Sequence, residues 1–100
     1  MEKDYFKDRP IEVTQPGSIK IGMEVYICSK LMQPYASKLD DLSRGIVTKL
    51  LTRHQHDRGL KVEIEQPNGF KMVGRCTYIV REDGLILTKD GWKHEKDVNK

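Results

Sequence analysis

The sequence predicts an all-β domain, and three observations lead to this prediction. Apolar and polar residues alternate in several short runs, turn-forming Gly, Pro and Asn separate these runs, and no long segment has a convincing helical period. Five such runs within about 80 residues fit a small five-stranded SH3-like barrel better than a seven-stranded sandwich. An OB-fold is the nearest alternative, but it usually carries a helix between its third and fourth strands.

Size and composition indicate a single folded domain with polar ends. The chain has 100 residues, of which 37% are hydrophobic and 33% are charged, so it is too apolar to be fully disordered. We expect a flexible N-terminal arm over residues 1–18, a barrel over residues 19–92 and a polar C-terminal tail over residues 93–100.

The sequence predicts a cytoplasmic location without membrane contact. No run approaches the roughly 20 apolar residues of a membrane span, and the mixed-charge N-terminus is unlike a signal peptide. Cys28 and Cys76 are therefore expected to be reduced, buried thiols.

The first predicted strand covers residues 19–30 and alternates cleanly. Met23, Val25 and Ile27 fall on one face, which we assign to the core. Tyr26 then points outward, either as a cross-strand partner or as a stacking platform for a base.

A long loop and a second strand follow. Pro34 ends the first strand, and the loop over residues 31–43 is predicted to contain a helical turn that directs Leu39 and Leu42 at the body. The strand over residues 44–52 is apolar on both faces, which indicates a tightly curled sheet or a bulge.

The most secure element is a β-hairpin. Its strands cover residues 60–66 and 70–80, and the Pro-Asn-Gly turn at residues 67–69 joins them. Phe70 falls on the face assigned to the core, whereas Lys71 and Arg75 are predicted to point outward. The residues predicted to face inward on the first strand of the hairpin are Leu60, Val62 and Ile64.

A short apolar strand over residues 85–87 completes the predicted set of five. Trp92 follows the next turn, and we expect its ring to be buried at one end of the barrel.

The order of four segments resembles the YwbE-like family of small bacterial proteins. These segments are IGMEVYICSK, LSRGIVTKLLT, HDRGLKVEIE and GRCTYIV, and together they span about residues 21–80. The resemblance implies a compact cytosolic barrel, similar in kind to the SH3-like barrels of translation and transcription factors. The family has no settled function, and the loop over residues 31–41 is longer here than the resemblance implies.

Motifs for catalysis or cofactors are not recognisable. His54, His56 and Asp57 could hold a metal with a cysteine if the loop turned suitably, but no CxxC or HxxxH spacing accompanies them. Neither cysteine has the signature of a nucleophile, and the glycines fit no phosphate-binding loop. We therefore expect a non-enzymatic protein with no metal and no cofactor.

Positive charge is concentrated in one part of the chain. Residues 43–81 hold eight Lys and Arg against three Asp and Glu, whereas the net charge of the whole chain is +3. Basic residues on one surface can bind phosphates, so we expect a module that binds nucleic acid or the ribosome. The alternative is a protein–protein adaptor that uses the 31–43 loop and the Tyr26 face. The candidate nucleic-acid-binding residues are Arg53, His54, His56, Arg58, Lys61, Lys71 and Arg75.

Overall fold

The computed structural model describes residues 9–36 and 39–98. Its antiparallel strands form one sheet, and because the first strand also pairs with the fourth, the first four strands close into a barrel. This is the predicted all-β barrel of the SH3-like kind. The strands are β1 (Glu24–Cys28), β2 (Ser43–Leu50), β3 (Lys61–Glu65), β4 (Lys71–Val80), β5 (Ile86–Thr88) and β6 (Gly91–Lys93).

The described residues contain six strands where five were expected. After β5 the chain turns back, and β6 pairs with β5 as an additional edge strand. Trp92 lies in β6 and is 41% exposed, so the prediction that its ring is buried at the barrel end is wrong. Its ring lies beneath Arg81 instead, with 4.8 Å between the guanidinium carbon and the ring centroid.

The barrel interior contains the aliphatic side chains that alternate along the strands. Leu60, Val62 and Ile64 are 0–1% exposed, which confirms their predicted inward orientation. Each side chain of this size stabilises the fold by about 1.5–3 kcal/mol when it is fully buried. The interior cluster contains Val13, Ile19, Val25, Ile27, Val47, Leu60, Val62, Ile64, Cys76 and Ile79.

A second hydrophobic cluster covers the outer face of β1 and β4. Tyr26 belongs to it: its side chain lies on the face opposite Val25 and Ile27, as predicted, but it is only 5% exposed, so the prediction that Tyr26 is displayed to solvent is wrong. Leu39 and Leu42 pack over this face as predicted for the 31–43 loop. The ring of Tyr26 meets the ring of Tyr78 edge-on, with centroids 6.5 Å apart, which matches its alternative interpretation as a cross-strand partner.

The apolar pattern on both faces of β2 corresponds to a β-bulge. The pairing of β2 with β3 shifts register between Val47 and Lys49, which is one of the two alternatives that the pattern indicated. An extra residue in one strand increases the local twist, which helps a small sheet to curl into a closed barrel.

The β3–β4 hairpin forms with the predicted turn. Gly69 has φ 87°, and its N–H donates to the carbonyl of Gln66 at 2.8 Å. Lys71 and Arg75 point away from the barrel interior, opposite Glu65 and Lys61 respectively. Phe70 is 71% exposed and does not join the core, because it belongs to the turn rather than to β4.

The described part of the predicted N-terminal arm is attached to the barrel. Residues 1–8 of that arm lie outside the described residues, but two 3-10 turns follow, at Ile11–Thr14 and Pro16–Ser18. Val13 is fully buried, and its carbonyl accepts a hydrogen bond of 2.8 Å from the N–H of Leu60. The core therefore includes a residue that precedes the predicted barrel boundary.

The described part of the predicted polar tail also packs on the barrel. A single helical turn, α1 (Glu95–Val98), follows β6, and Val98 contacts the second hydrophobic cluster. Another 3-10 turn, Leu39–Asp41, lies in the loop between β1 and β2. Residues 99–100 lie outside the described part of the chain.

Candidate functional site

A groove of about 600 Å³ lies between the 51–60 loop, the β3–β4 hairpin and the turn that follows β1. Val73 and Gly74 form part of its wall. We call this feature the basic groove, because its polar side chains are those of Lys30, Gln33, His56, Arg58, Lys61 and Arg75.

Strand pairing brings the cations of the basic groove together. Lys61 lies directly opposite Arg75 in the β3–β4 pair, and Cys28 lies opposite Arg75 in the β1–β4 pair. Lys30 comes two residues after Cys28, so the end of β1 carries it to the same side of β4. Gly74 permits this approach, because a Cβ there would lie 2.6 Å from the Cys28 carbonyl oxygen.

Backbone hydrogen bonds hold the 51–60 loop in place. The N–H of His56 donates to the Thr14 carbonyl at 3.1 Å, and the N–H of Gly59 donates to the His56 carbonyl at 3.0 Å. The N–H of Arg58 donates to Nδ1 of His56 at 3.2 Å. Arg75 connects the 51–60 loop to β4, because its Nη1 donates a hydrogen bond to the Gly59 carbonyl at 3.4 Å.

Positive charge predominates in the lining of the basic groove. Two lysines and two arginines line it, and none of the lining residues in the described part of the chain is acidic. Like charges that face each other across two strands destabilise a sheet, so the Lys61 and Arg75 pair costs folding free energy. This cost would be offset when an anion binds between them.

The structure brings together some of the predicted residues and separates others. His56, Arg58, Lys61 and Arg75 line the basic groove. Lys71 does not line it, because it lies at the other end of the hairpin, opposite Glu65. The remaining two predicted residues, Arg53 and His54, are exposed earlier in the loop and are not part of the groove lining.

Sequence reasoning missed Lys30 and Gln33 in the basic groove. Both follow a strand that is far from the hairpin in sequence, and the pairing of β1 with β4 carries them there. A basic residue just after a strand is a weak signal by itself. It becomes informative once the strand order is known.

A second hollow, of about 720 Å³, lies beside the first 3-10 turn and β5. Arg9 and Lys89 line it together with Glu12 and Asp57. Because its lining carries both signs of charge, it lacks the one-sided field of the basic groove.

No three His, Cys, Asp or Glu side chains within residues 9–36 and 39–98 are grouped so that they could hold a metal ion. Among the same residues, no helix has the length and apolar character needed to cross a membrane.

The fold and the groove together define a small all-β barrel with a cationic groove. The chain belongs to a family of uncharacterised conserved proteins, DUF2196, whose model matches residues 12–79. The match begins within the Ile11–Thr14 turn and ends one residue before the end of β4, so it covers β1, β2 and β3 and nearly all of β4. No curated protein and no solved structure matches the chain significantly.

Proposed function

We propose that this protein is a non-enzymatic module that binds nucleic acid through the basic groove. The observation that carries the proposal is the position of Lys61 directly opposite Arg75, with Lys30 and Arg58 in the same groove. A sheet that places like charges opposite each other loses stability. An anionic ligand between them would convert this repulsion into binding free energy.

Nucleic acid suits this groove because the phosphate backbone needs positive charge along one surface. Arg presents a planar fork of donors to phosphate oxygens, and Lys acts as a compact point charge. Phosphate contacts of this kind position a nucleic acid without reading its sequence. The proposal therefore concerns binding that is largely independent of sequence.

The test is the salt dependence of binding to a fluorescent oligonucleotide, measured by anisotropy. Four phosphate contacts by Lys30, Arg58, Lys61 and Arg75 give a slope of log K against log salt of about −2.8 for a single strand and about −3.6 for duplex DNA. A slope near zero, or no binding at low salt, would contradict the proposal.

Two charge-reversal variants test whether the basic groove or the net charge of the protein determines binding. Lys61→Glu removes a groove cation and places a carboxylate opposite Arg75, so it should weaken binding while the protein stays at least as stable. Lys20→Glu changes the net charge equally at an exposed residue outside the groove lining, and it should have little effect. Equal losses in both variants would mean that net charge, rather than the groove, determines binding.

The alternative, a protein–protein adaptor, has less exposed surface available than the sequence predicted. Tyr26 is buried and cannot contact a partner, but Leu31 and Tyr35 of the 31–43 loop are 78% and 71% exposed. A pull-down that recovers a nuclease-resistant protein partner would favour this alternative. Four points stay predictions from the sequence: the YwbE-like resemblance, the bacterial source, the ribosome as partner and the cytoplasmic location.

A further inference from the structure

We propose that the basic groove takes the phosphorylated end of a nucleic-acid strand, where the phosphate is a monoester, rather than the interior of a strand. This inference rests on the proposed function and names the part of the nucleic acid that the groove recognises. A terminal phosphate carries about −1.5 to −2 charges at neutral pH and has three acceptor oxygens, whereas each phosphate inside a strand carries a single negative charge. Three features of the groove favour the more highly charged group.

The first feature is that the cations converge on Arg75. Lys61 is its direct partner in the β3–β4 pair, and such partners lie about 5 Å apart between Cα atoms. Lys30 follows Cys28, the partner of Arg75 in β1, by two residues, and two residues of chain span at most about 7 Å. Because these positive charges repel each other, a group with two negative charges relieves the repulsion more than a group with one.

The 51–60 loop brings another cation and a neutral donor to the same place. Arg75 donates to the Gly59 carbonyl, and Arg58, the residue before Gly59, lines the groove. Nδ1 of His56 accepts a hydrogen bond of 3.2 Å from the N–H of Arg58, which assigns the proton of the neutral ring to Nε2, where it can be donated to a phosphate oxygen. The donors are thus grouped around Arg75 instead of following a line, as the evenly spaced phosphates of a strand interior require.

The second feature is the size of the groove. Its volume of about 600 Å³ lies within the range of roughly 300–1,000 Å³ that is typical of sites for small molecules. Domains that bind the interior of a single strand instead cover several nucleotides along an extended groove, about 4–16 for one OB-fold. A hollow of this size suits one terminal nucleotide better than such a run.

The third feature is that backbone hydrogen bonds fix the turn after β1. The N–H groups of Met32 and Gln33 both donate to the Ser29 carbonyl at 3.0 Å. Lys30 and Gln33 lie three residues apart in this helical turn, so they share a face, and both line the groove. The backbone positions of these two donors are therefore set before a ligand binds, which reduces the entropic cost of binding.

The experiment compares one RNA of roughly 12 nucleotides that ends in a hydroxyl, a phosphate or a methyl phosphate, by fluorescence anisotropy at low salt. The label is at the other end, and the series is measured for each end of the strand. At one end or the other, the phosphate should tighten binding by about tenfold or more relative to the hydroxyl, the effect of one or two charge-assisted hydrogen bonds. The methyl phosphate keeps a single negative charge, so it should bind at least about threefold more weakly than the phosphate.

A matched pair of lysine variants tests whether this preference comes from the groove. Lys61→Gln removes a positive charge opposite Arg75 together with its repulsion, so the protein should stay folded. It should reduce the ratio of the affinities for the phosphate and hydroxyl strands by at least about threefold. Lys71→Gln makes the same change at the other end of the hairpin, opposite Glu65 and outside the groove lining, and it should leave that ratio unchanged.

Two outcomes would overturn the inference and leave the proposed function intact. The first is a phosphate strand that binds no more tightly than the hydroxyl strand or the methyl phosphate strand. The second is an equal loss of the preference in Lys61→Gln and Lys71→Gln. If a free nucleoside monophosphate displaces the phosphate strand as efficiently as the unlabelled strand does, the groove takes a phosphomonoester but its source is a free nucleotide, and the proposed function is overturned instead. Absence of binding to every strand would overturn both.

Discussion

Three glycines allow backbone strain and close packing to be measured separately in this barrel. Gly69 has φ 87° in the hairpin turn, and a Cβ there would meet no atom within 4 Å. Gly74 has no positive φ, but its Cβ would lie 2.6 Å from the Cys28 carbonyl oxygen and 3.0 Å from the Ser29 Cα. Gly59 combines both conditions, with φ 98° and a Cβ position that overlaps the Cys76 carbonyl oxygen even more closely.

The expected costs of substitution by Ala follow from these geometries. Gly69→Ala should cost about 1 kcal/mol, because left-handed backbone costs about 1–2 kcal/mol and the reduced entropy of the unfolded chain returns about half of it. Gly74→Ala should cost about 1–3 kcal/mol, because backbone atoms at the end of β1 must move. Gly59→Ala carries both penalties and should cost about 2–4 kcal/mol.

Urea unfolding followed by far-ultraviolet circular dichroism measures these differences. For a domain of this size, 1 kcal/mol corresponds to about 4–8 °C in Tm, so thermal melts provide an independent check. If Gly59→Ala is no less stable than Gly69→Ala, then the 51–60 loop does not approach β4 closely at Cys76. A neutral Gly74→Ala would similarly contradict the close approach of β1 to the groove wall.

Two further predictions concern titratable groups. The Nε and Nη2 groups of Arg81 donate hydrogen bonds to the Asp83 carboxylate and lower the pKa of this carboxyl to about 2. Arg81→Gln should therefore raise that pKa toward about 3.9 in a carboxyl ¹³C NMR titration. Because the folded-state pKa is lowered, the stabilisation from the pair is present above the unfolded pKa and is lost as the pH falls through about 2. Burial raises the pKa of both thiols, and Cys28 and Cys76 are 0–1% exposed. Neither should react with a disulfide reagent in the native protein at neutral pH, although both should react in urea, and rapid native-state labelling of Cys28 would contradict its burial.

Local sequence patterns were sufficient for the β3–β4 hairpin. The strict alternation of Leu60, Val62 and Ile64 predicted which side chains enter the core, and the Pro-Asn-Gly run predicted the turn. Both signals act within a few residues, so they do not depend on the rest of the fold. The apolar residues on both faces of β2 indicated a tightly curled sheet or a bulge, and the structure has a register shift there.

The site was predictable only in part. The positive charge between residues 43 and 81 indicated an anion-binding surface, and four of the candidate residues line the basic groove. Composition does not determine which charges converge, however. Lys71 points outward as predicted but lies opposite Glu65, and Lys30 enters the groove from a distant strand.

The sequence by itself determined the all-β fold class, the hairpin and the excess of positive charge over residues 43–81. The tertiary structure decided that Tyr26 is buried and that Lys30 joins Arg75 at the groove. Both outcomes depend on the pairing of β1 with β4, in which the hydroxyl of Thr77 donates to the carbonyl of Tyr26 at 3.0 Å. Such a contact joins segments that are far apart in sequence, so the local alternation of apolar and polar residues does not predict it. The pattern of each strand indicates which of its faces are apolar, but not which element will cover them.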